Sequence, residues 1–233
     1  MKLKSAIAAG LLLCLLASCD REPTRFTVSG IITDTLATLP GSMVYLIGAD
    51  GPIDSTVVVK GAFTFKGDID KTKQLVAMLR FPDRDKYDDR YLVSFVPDAE
   101  RISIDLDYPA TVSGSPLTDA ILNYRESVMN LFYEHETDIG SLSMNGQTDK
   151  ADSIFQAQTR KIDELSRETY LANTDNVLGK QALTVLFNDL DTAELEALLA
   201  QGGEFIRNDE ELKAMLKAKK NALVTDSGTE IFE

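Results

Sequence analysis

The sequence predicts an α+β fold: an N-terminal antiparallel β-sandwich over residues 26–114, then an all-helical segment over 115–233 built of a helical hairpin and short helices. Three observations predict it. Up to Gly114, apolar residues recur with period two between frequent glycine and proline turn signals. At Ser113-Gly114-Ser115-Pro116 the period becomes that of a helix. The charge balance changes there too: residues 20–114 hold 11 Lys and Arg against 15 Asp and Glu, and those beyond hold 11 against 22.

The chain opens with Lys2 and Lys4, an apolar run from Ile7 to Leu16, and small residues leading into Cys19. That order describes an export signal, since a membrane span needs ~20 apolar residues. Leu16-Ala17-Ser18-Cys19 resembles the lipobox of bacterial lipoproteins. The resemblance implies a signal peptide over 1–18, cleavage before Cys19, acylation of its thiol, and a polar tether over 19–25. The alternative is an ordinary secretory signal with an incidental cysteine. Cys14 lies in the leader, so acylation of Cys19 leaves no thiolate nucleophile, disulfide or cysteine metal ligand. The leader holds two of the 24 basic residues and none of the 37 acidic ones, so its removal takes the net charge from −13 to −15. That balance argues against nucleic acid, and also against docking on anionic lipid by charge. Membrane attachment then falls to the acyl chains, of which stable anchoring needs more than one. The expected location is the cell envelope, lipid-anchored at the periplasmic face of the inner membrane or at the outer membrane. Asp20 suits inner-membrane retention and Asp20-x-Glu22 suits surface export, so both stay open.

Strands follow in order. Phe26 to Ile32 opens the sandwich, Pro40-Gly41 turns into Met43 to Ile47, and Asp50-Gly51-Pro52 turns into Thr56 to Val59. Lys60-Gly61 joins that run to Phe63-Thr64-Phe65 as a hairpin, through either a two-residue turn or a bulge. Leu75 to Leu79 and Tyr91 to Val96 flank a polar loop. Ile102, Ile104 and Leu106 then alternate with Ser103, Asp105 and Asp107, giving one apolar and one charged face. About eight strands are expected, with no intervening helix.

Beyond the boundary, Ser115 caps a helix and Pro116 fits its first position. Leu117, Ile121, Tyr124, Val128, Leu131 and His135 form its inner stripe, and Gly140 to Gly146 break it. A second long helix over Asp149 to Ala172 returns antiparallel, with Ile154, Gln158, Ile162 and Leu165 inward. Val177 to Asn188 is a further helix, Asp191 to Glu194 is a capping box, and Gly202-Gly203 ends the helix it starts. Asn208 with Glu211 caps the last helix, Asp209 to about Leu223, whose lysines 213, 217, 219 and 220 suit a helix C-terminus.

Several motifs stand in a recognisable order: Phe26-x-Val28-x-Gly30, Val44-Tyr45-Leu46, Ile53-Asp54-Ser55, Lys60-Gly61-Ala62-Phe63-x-Phe65-x-Gly67 and Ser113 to Asp119. Asn173-x-Asp175-Asn176 and the helix from Asp191 to Leu199 follow. With the lipobox ahead, this order resembles the N-terminal domain of unknown function in TlpA-type thioredoxin-like disulfide-interchange envelope lipoproteins. The resemblance implies a β domain and helical segment placed ahead of a thioredoxin domain. Cys-x-x-Cys is missing from this sequence, so no catalytic residue carries over. Glu230-Ile231-Phe232-Glu233 turns apolar again, and the resemblance places the passage into a thioredoxin domain there.

Asp83 to Asp89 gathers carboxylates in one loop, but the ligand order of an EF-hand is missing, and a solvated hairpin loop is expected. His135, the single histidine, has no spaced partner for zinc and reads as a helix-end residue. Tyrosines 45, 87, 91 and 108 line a sugar or peptide groove on one reading and fill the β core on the other. The expected protein is therefore not an enzyme and holds no cofactor or metal. It is a membrane-anchored module that carries, spaces or recruits substrate for a C-terminal thioredoxin-like oxidoreductase domain. The alternative is a free-standing envelope lipoprotein that binds a glycan, peptide or protein partner through its β domain.

Overall fold

The computed structural model describes residues 23–34, 39–81 and 89–227. The expectations for the leader, Cys19, Asp83 to Asp88 and the 230–233 tail lie outside them. Eight strands are described: β1 Arg25–Ile31, β2 Met43–Gly48, β3 Gly51–Val57, β4 Ala62–Asp68, β5 Leu75–Arg80, β6 Leu92–Phe95, β7 Arg101–Asp105 and β8 Thr111–Ser113. They form two four-stranded sheets, in the orders β4-β1-β7-β8 and β3-β2-β5-β6. Between the sheets lies one core, with Phe26, Val28, Phe63, Phe65 and Ile104 from the first and Val44, Leu46, Ala77, Leu79 and Phe95 from the second. This is the expected sandwich, with one correction to its antiparallel pairing. β1 and β7 run parallel, because the whole second sheet separates them in sequence and the chain returns across the sandwich.

Register in the first sheet follows from side-chain size. Opposite pairs on β1 and β4 are Phe26 with Gly67, Val28 with Phe65, and Gly30 with Phe63. The Phe26 and Phe63 rings each lie over the glycine facing them. A Cβ on Gly30 would stand 1.9 Å from the Phe63 ring, and one on Gly67 would stand 2.5 Å from the Phe26 ring. Sliding β4 by two residues loses this fit: one direction sets Phe65 opposite Phe26, and the other sets Ile69 there and leaves Gly67 opposite Val28. Between β3 and β4, Val59 and Ala62 exchange backbone hydrogen bonds of 2.9 and 3.0 Å. Lys60 and Gly61 both have positive φ, at 52° and 77°. The connection is thus a two-residue turn. It is also a corner, since β3 and β4 belong to different sheets. β3 begins at Gly51, earlier than the expected Thr56, and pairs along the outer side of β2 from Gly48 onward.

The helices are α1 Pro116–Tyr133, α2 Glu136–Met144, α3 Thr148–Ala172, α4 Val177–Leu186, α5 Thr192–Gln201, α6 Glu204–Asn208 and α7 Glu210–Ser227. α1 and α3 form the expected antiparallel hairpin: the Tyr124 and Ser166 hydroxyls are 2.8 Å apart and buried. The first break falls at Glu134–His135 rather than at Gly140, which lies inside α2. Its cause is on α3, where the buried Gln158 amide donates to the carbonyls of Leu131 and Phe132 at 2.8 and 3.2 Å. Those carbonyls would otherwise be orphaned at the end of α1. The cap of the last helix also moves. Asn208 ends α6, and Asp209 Oδ1 accepts from Leu212 N at 2.9 Å. α7 then continues past Leu223 to Ser227, which leaves its lysines mid-helix. Lys219 serves another helix's end instead, donating to the Phe187 carbonyl at 2.7 Å.

The β1–β4 register yields the first test. Gly30→Ala should cost about 1–3 kcal/mol, the usual penalty for overpacking a core, and Phe63→Leu in the same chain should recover part of it. Urea unfolding followed by circular dichroism measures both. A Gly30→Ala chain as stable as wild type would refute the register argument.

Candidate functional site

Polar side chains converge most densely where the sandwich meets the helices. Ser115, the N-cap of α1, is fully buried. Its Oγ accepts from Thr118 N at 3.2 Å and donates toward Val96 O at 2.9 Å or Asp98 Oδ1 at 2.7 Å. Thr118 Oγ1 accepts from Val96 N at 2.8 Å, and Asp98 Oδ2 accepts from Leu117 N at 2.7 Å. The segment leaving β6 is thereby bonded on both its N–H and C=O to the first turn of α1. Val96 itself packs in the helical core with Leu117, Ile121 and Leu178. A second tie runs from Val177 N to Lys71 O at 3.1 Å. The β part and the helical part are joined by buried hydrogen bonds, not by a free linker.

The residues singled out in the sequence do not gather into one site. His135 sits at the N-cap position of α2, half-exposed, 3.9 Å from Glu134 and 3.5 Å from Asp138. Among the described residues, no group of three or more His, Cys, Asp or Glu could hold a metal ion. Tyr91 is buried against Phe81, and its hydroxyl donates to Asp34, whereas Tyr108 is 77% exposed. Tyr45 lies half-buried on β2, so these tyrosines line no common groove. Asp191 and Glu194 do form the expected capping box. In Asn173-x-Asp175-Asn176, Asn176 caps α4 and Asp175 accepts from Phe205 N in α6 at 2.9 Å.

Most carboxylates with displaced titration are held by such contacts. Burial alone raises the Asp107 carboxyl, but the Thr33 hydroxyl and the Thr33 and Asp34 amides outweigh it and hold it below the usual range. Asp209 is likewise raised by burial and then lowered further by Lys180 and the Leu212 amide. Lys180 bridges Asp209 and Glu211 at 2.7 and 2.8 Å, fastening α4 to α7. Asp163 departs from this pattern. Its Oδ1 is buried without a hydrogen-bond partner among the described residues. Burial raises this carboxyl, the Asp189 charge raises it further, and Arg167 offsets only part of that.

One surface went unnoticed in the sequence: a shallow groove of about 500 Å³ on the outer face of the first sheet. Its lining includes the small side chains of Ser29, Ala62, Thr64, Ser103 and Ser113, with the larger Ile31 and Asp105 beside them. The signal available was strand alternation, which places these residues outward once strand order and register are known.

Residues 26–121 match a family model described as Domain of unknown function (DUF4369). The matched stretch runs from β1 through the junction to Ile121, so it includes Val96, Asp98, Ser115 and Thr118. No curated protein matches the chain. Among the described residues, no helix is long and apolar enough to cross a membrane.

Two tests follow. Ser115→Ala removes the cap of α1 and a buried hydroxyl bonded to the sandwich, and should cost about 1–3 kcal/mol in urea unfolding. A loss below ~0.5 kcal/mol would mean that the junction is not what joins the two parts. Asp163 works in the opposite sense. Because the fold raises its carboxyl, the charged form destabilises the fold, and stability falls as pH rises through the raised value. Asp163→Asn should therefore raise Tm at pH 7, by about 2–4 °C if the relief reaches ~1 kcal/mol, with solvent screening limiting it. Calorimetry at pH 3, where both side chains are uncharged, should show that advantage gone; an equal gain at both pH values would contradict the electrostatic account.

Proposed function

We infer that this chain is a lipid-anchored, non-catalytic envelope module that carries, spaces or presents substrate to a thioredoxin-like oxidoreductase domain. The observation that carries the reading is Leu16-Ala17-Ser18-Cys19, a lipobox-like run directly ahead of a short polar tether and the sandwich. The motif order of the envelope disulfide-interchange lipoproteins supports the second half of it. The rigid junction supports a spacing role, because a lever bonded at Val96, Asp98, Ser115 and Thr118 keeps the two parts in fixed relation. Most polar side chains singled out here are spent on caps and ties, which suits a scaffold. On this reading the acyl chains on Cys19 hold the membrane, and the partner is an envelope protein or peptide.

The second reading is a free-standing envelope lipoprotein that binds through its β domain. The groove on the outer face of the first sheet favours it.

Labelled palmitate and globomycin test the anchor. The wild-type chain should take up label and accumulate as an unprocessed precursor with the inhibitor, whereas Cys19→Ala should take up none. Equal labelling of the two would defeat the lipoprotein reading. The coding sequence after Glu233 separates the two functions. A β-α pattern bearing Trp-Cys-x-x-Cys supports the oxidoreductase module, and a stop codon supports the free-standing binder.

A further inference from the structure

The outer face of the first sheet carries hydroxyls in its middle and charges of both signs around them. Register places Thr64 beside Ser29, Ser29 beside Ser103, and Ser103 beside Ser113. Four hydroxyls therefore stand in one row across β4, β1, β7 and β8. At the usual strand spacing of ~4.8 Å the row is about 15 Å long. All four residues are exposed, and among the described residues none of these hydroxyls is engaged in a hydrogen bond. In the next row toward the start of β1, Lys66 and Arg101 flank Thr27 on either side. Neither cation has an ion-pair partner among the described residues, whereas Arg25, one row further, faces Asp68 at 3.9 Å. The row on the far side is Ala62, Ile31, Asp105 and Thr111, and Asp105 Oδ1 is occupied by Asp107 N.

The chemistry of these rows selects the occupant. An added peptide strand would find no free ladder over β1 and β7, whose backbones are paired on both sides. A second sheet packed face to face needs interdigitating apolar side chains, and Ile31 is the large one here. The exposed apolar edge at Ile53, Val57 and Val59 is a separate feature, guarded by Pro52, by a register shift at Leu46/Ile47, and by Asp54 opposite buried Leu46. Serine and threonine hydroxyls both donate and accept, which matches the hydroxyls of a sugar. Two cations beside the row match a carboxylate or sulfate, and charge-assisted hydrogen bonds of that kind are the stronger ones. We propose that the outer face of β4-β1-β7-β8 binds an anionic glycan strand, with sugar hydroxyls along Thr64, Ser29, Ser103 and Ser113 and the acidic group held by Lys66 and Arg101. The proposal deepens the β-domain-binding reading and holds whether or not an oxidoreductase domain follows.

The full chain in detergent, titrated calorimetrically with polygalacturonate, dextran and polyglutamate, tests it. Polygalacturonate should bind, and its affinity should fall as salt is raised. Lys66→Ala with Arg101→Ala should weaken it tenfold or more. Thr64→Val with Ser29→Ala and Ser103→Ala should weaken it to a similar degree while leaving the salt dependence in place. Circular dichroism and Tm of each variant show that the sheet is intact; if the hydroxyl variant unfolds, Ser29→Ala alone, expected to weaken binding about threefold, replaces it. Dextran should bind more weakly than polygalacturonate. Three results would overturn the proposal: no heat with polygalacturonate, equal binding of polyglutamate, or affinity unmoved by either set of substitutions. Acylation of Cys19 is read separately, so failure here leaves the anchor unaffected.

Discussion

The fold depends on the register of β1. This strand is paired on both sides, antiparallel to β4 and parallel to β7, so its position fixes three strands at once. What holds it is a reciprocal fit of rings into the gaps left by glycines, Phe26 over Gly67 and Phe63 over Gly30. A β-sheet has a side-chain period of two, so a one-residue slip between β1 and β4 would turn either Phe26 and Val28 or Phe63 and Phe65 out to water. A two-residue slip keeps the apolar face inward but puts Phe65 or Ile69, in place of Gly67, opposite Phe26. The fit excludes the second error as well as the first, which ordinary alternation does not.

From that sheet the structure is extended by carboxylates and hydroxyls used as caps. Asp98 and Ser115 receive the first turn of α1, Asn176 that of α4, Asp191 that of α5, Asp175 a backbone amide of α6 and Asp209 one of α7. Acid groups at helix N-termini satisfy orphan N–H groups and meet the positive end of the helix dipole. Part of the negative charge of the helical segment is thus structural. Lysines complete the assembly from the other direction: Lys180 joins α4 to Asp209 and Glu211, and Lys219 reaches the carbonyl of Phe187. Asp163 is an exception: its Oδ1 is buried without a hydrogen-bond partner among the described residues.

The sequence was most legible where a residue type has one strong local reason to be where it is. Pro116 after Ser115, the capping box at Asp191, and the alternation from Ile102 to Leu106 all appear as read. It was least legible where a distant residue decides. α1 ends at Tyr133 because Gln158, on another helix, takes its last carbonyls. The β1–β7 pairing is parallel because of how the chain returns over the second sheet, and no local pattern encodes that return. The cap of α7 moved by one residue because α6, too short for a periodicity signal, had already used Asn208. The hydroxyl row is the extreme case, since its four members come from four strands and become neighbours through register alone.

That row also conflicts with what the sheet itself favours. Exposed strand positions gain stability from β-branched and aromatic side chains, and serine is a poor choice there. Yet Ser29 and Ser103 occupy adjacent strands in the middle of the sheet, with Ser113 and Thr64 at its edges. Valine or threonine at Ser29 and Ser103 would serve strand stability better, but their added bulk would fill the groove. Where a sequence gives up local preference at several positions that the fold then brings side by side, a function borne by those positions is the economical explanation. The inner face of the same sheet shows the opposite pattern, with Phe26 and Phe63 each fitted over a glycine. One register therefore produces both surfaces: a packed interior held by phenylalanine and glycine, and an open outer row of hydroxyls bordered by Lys66 and Arg101.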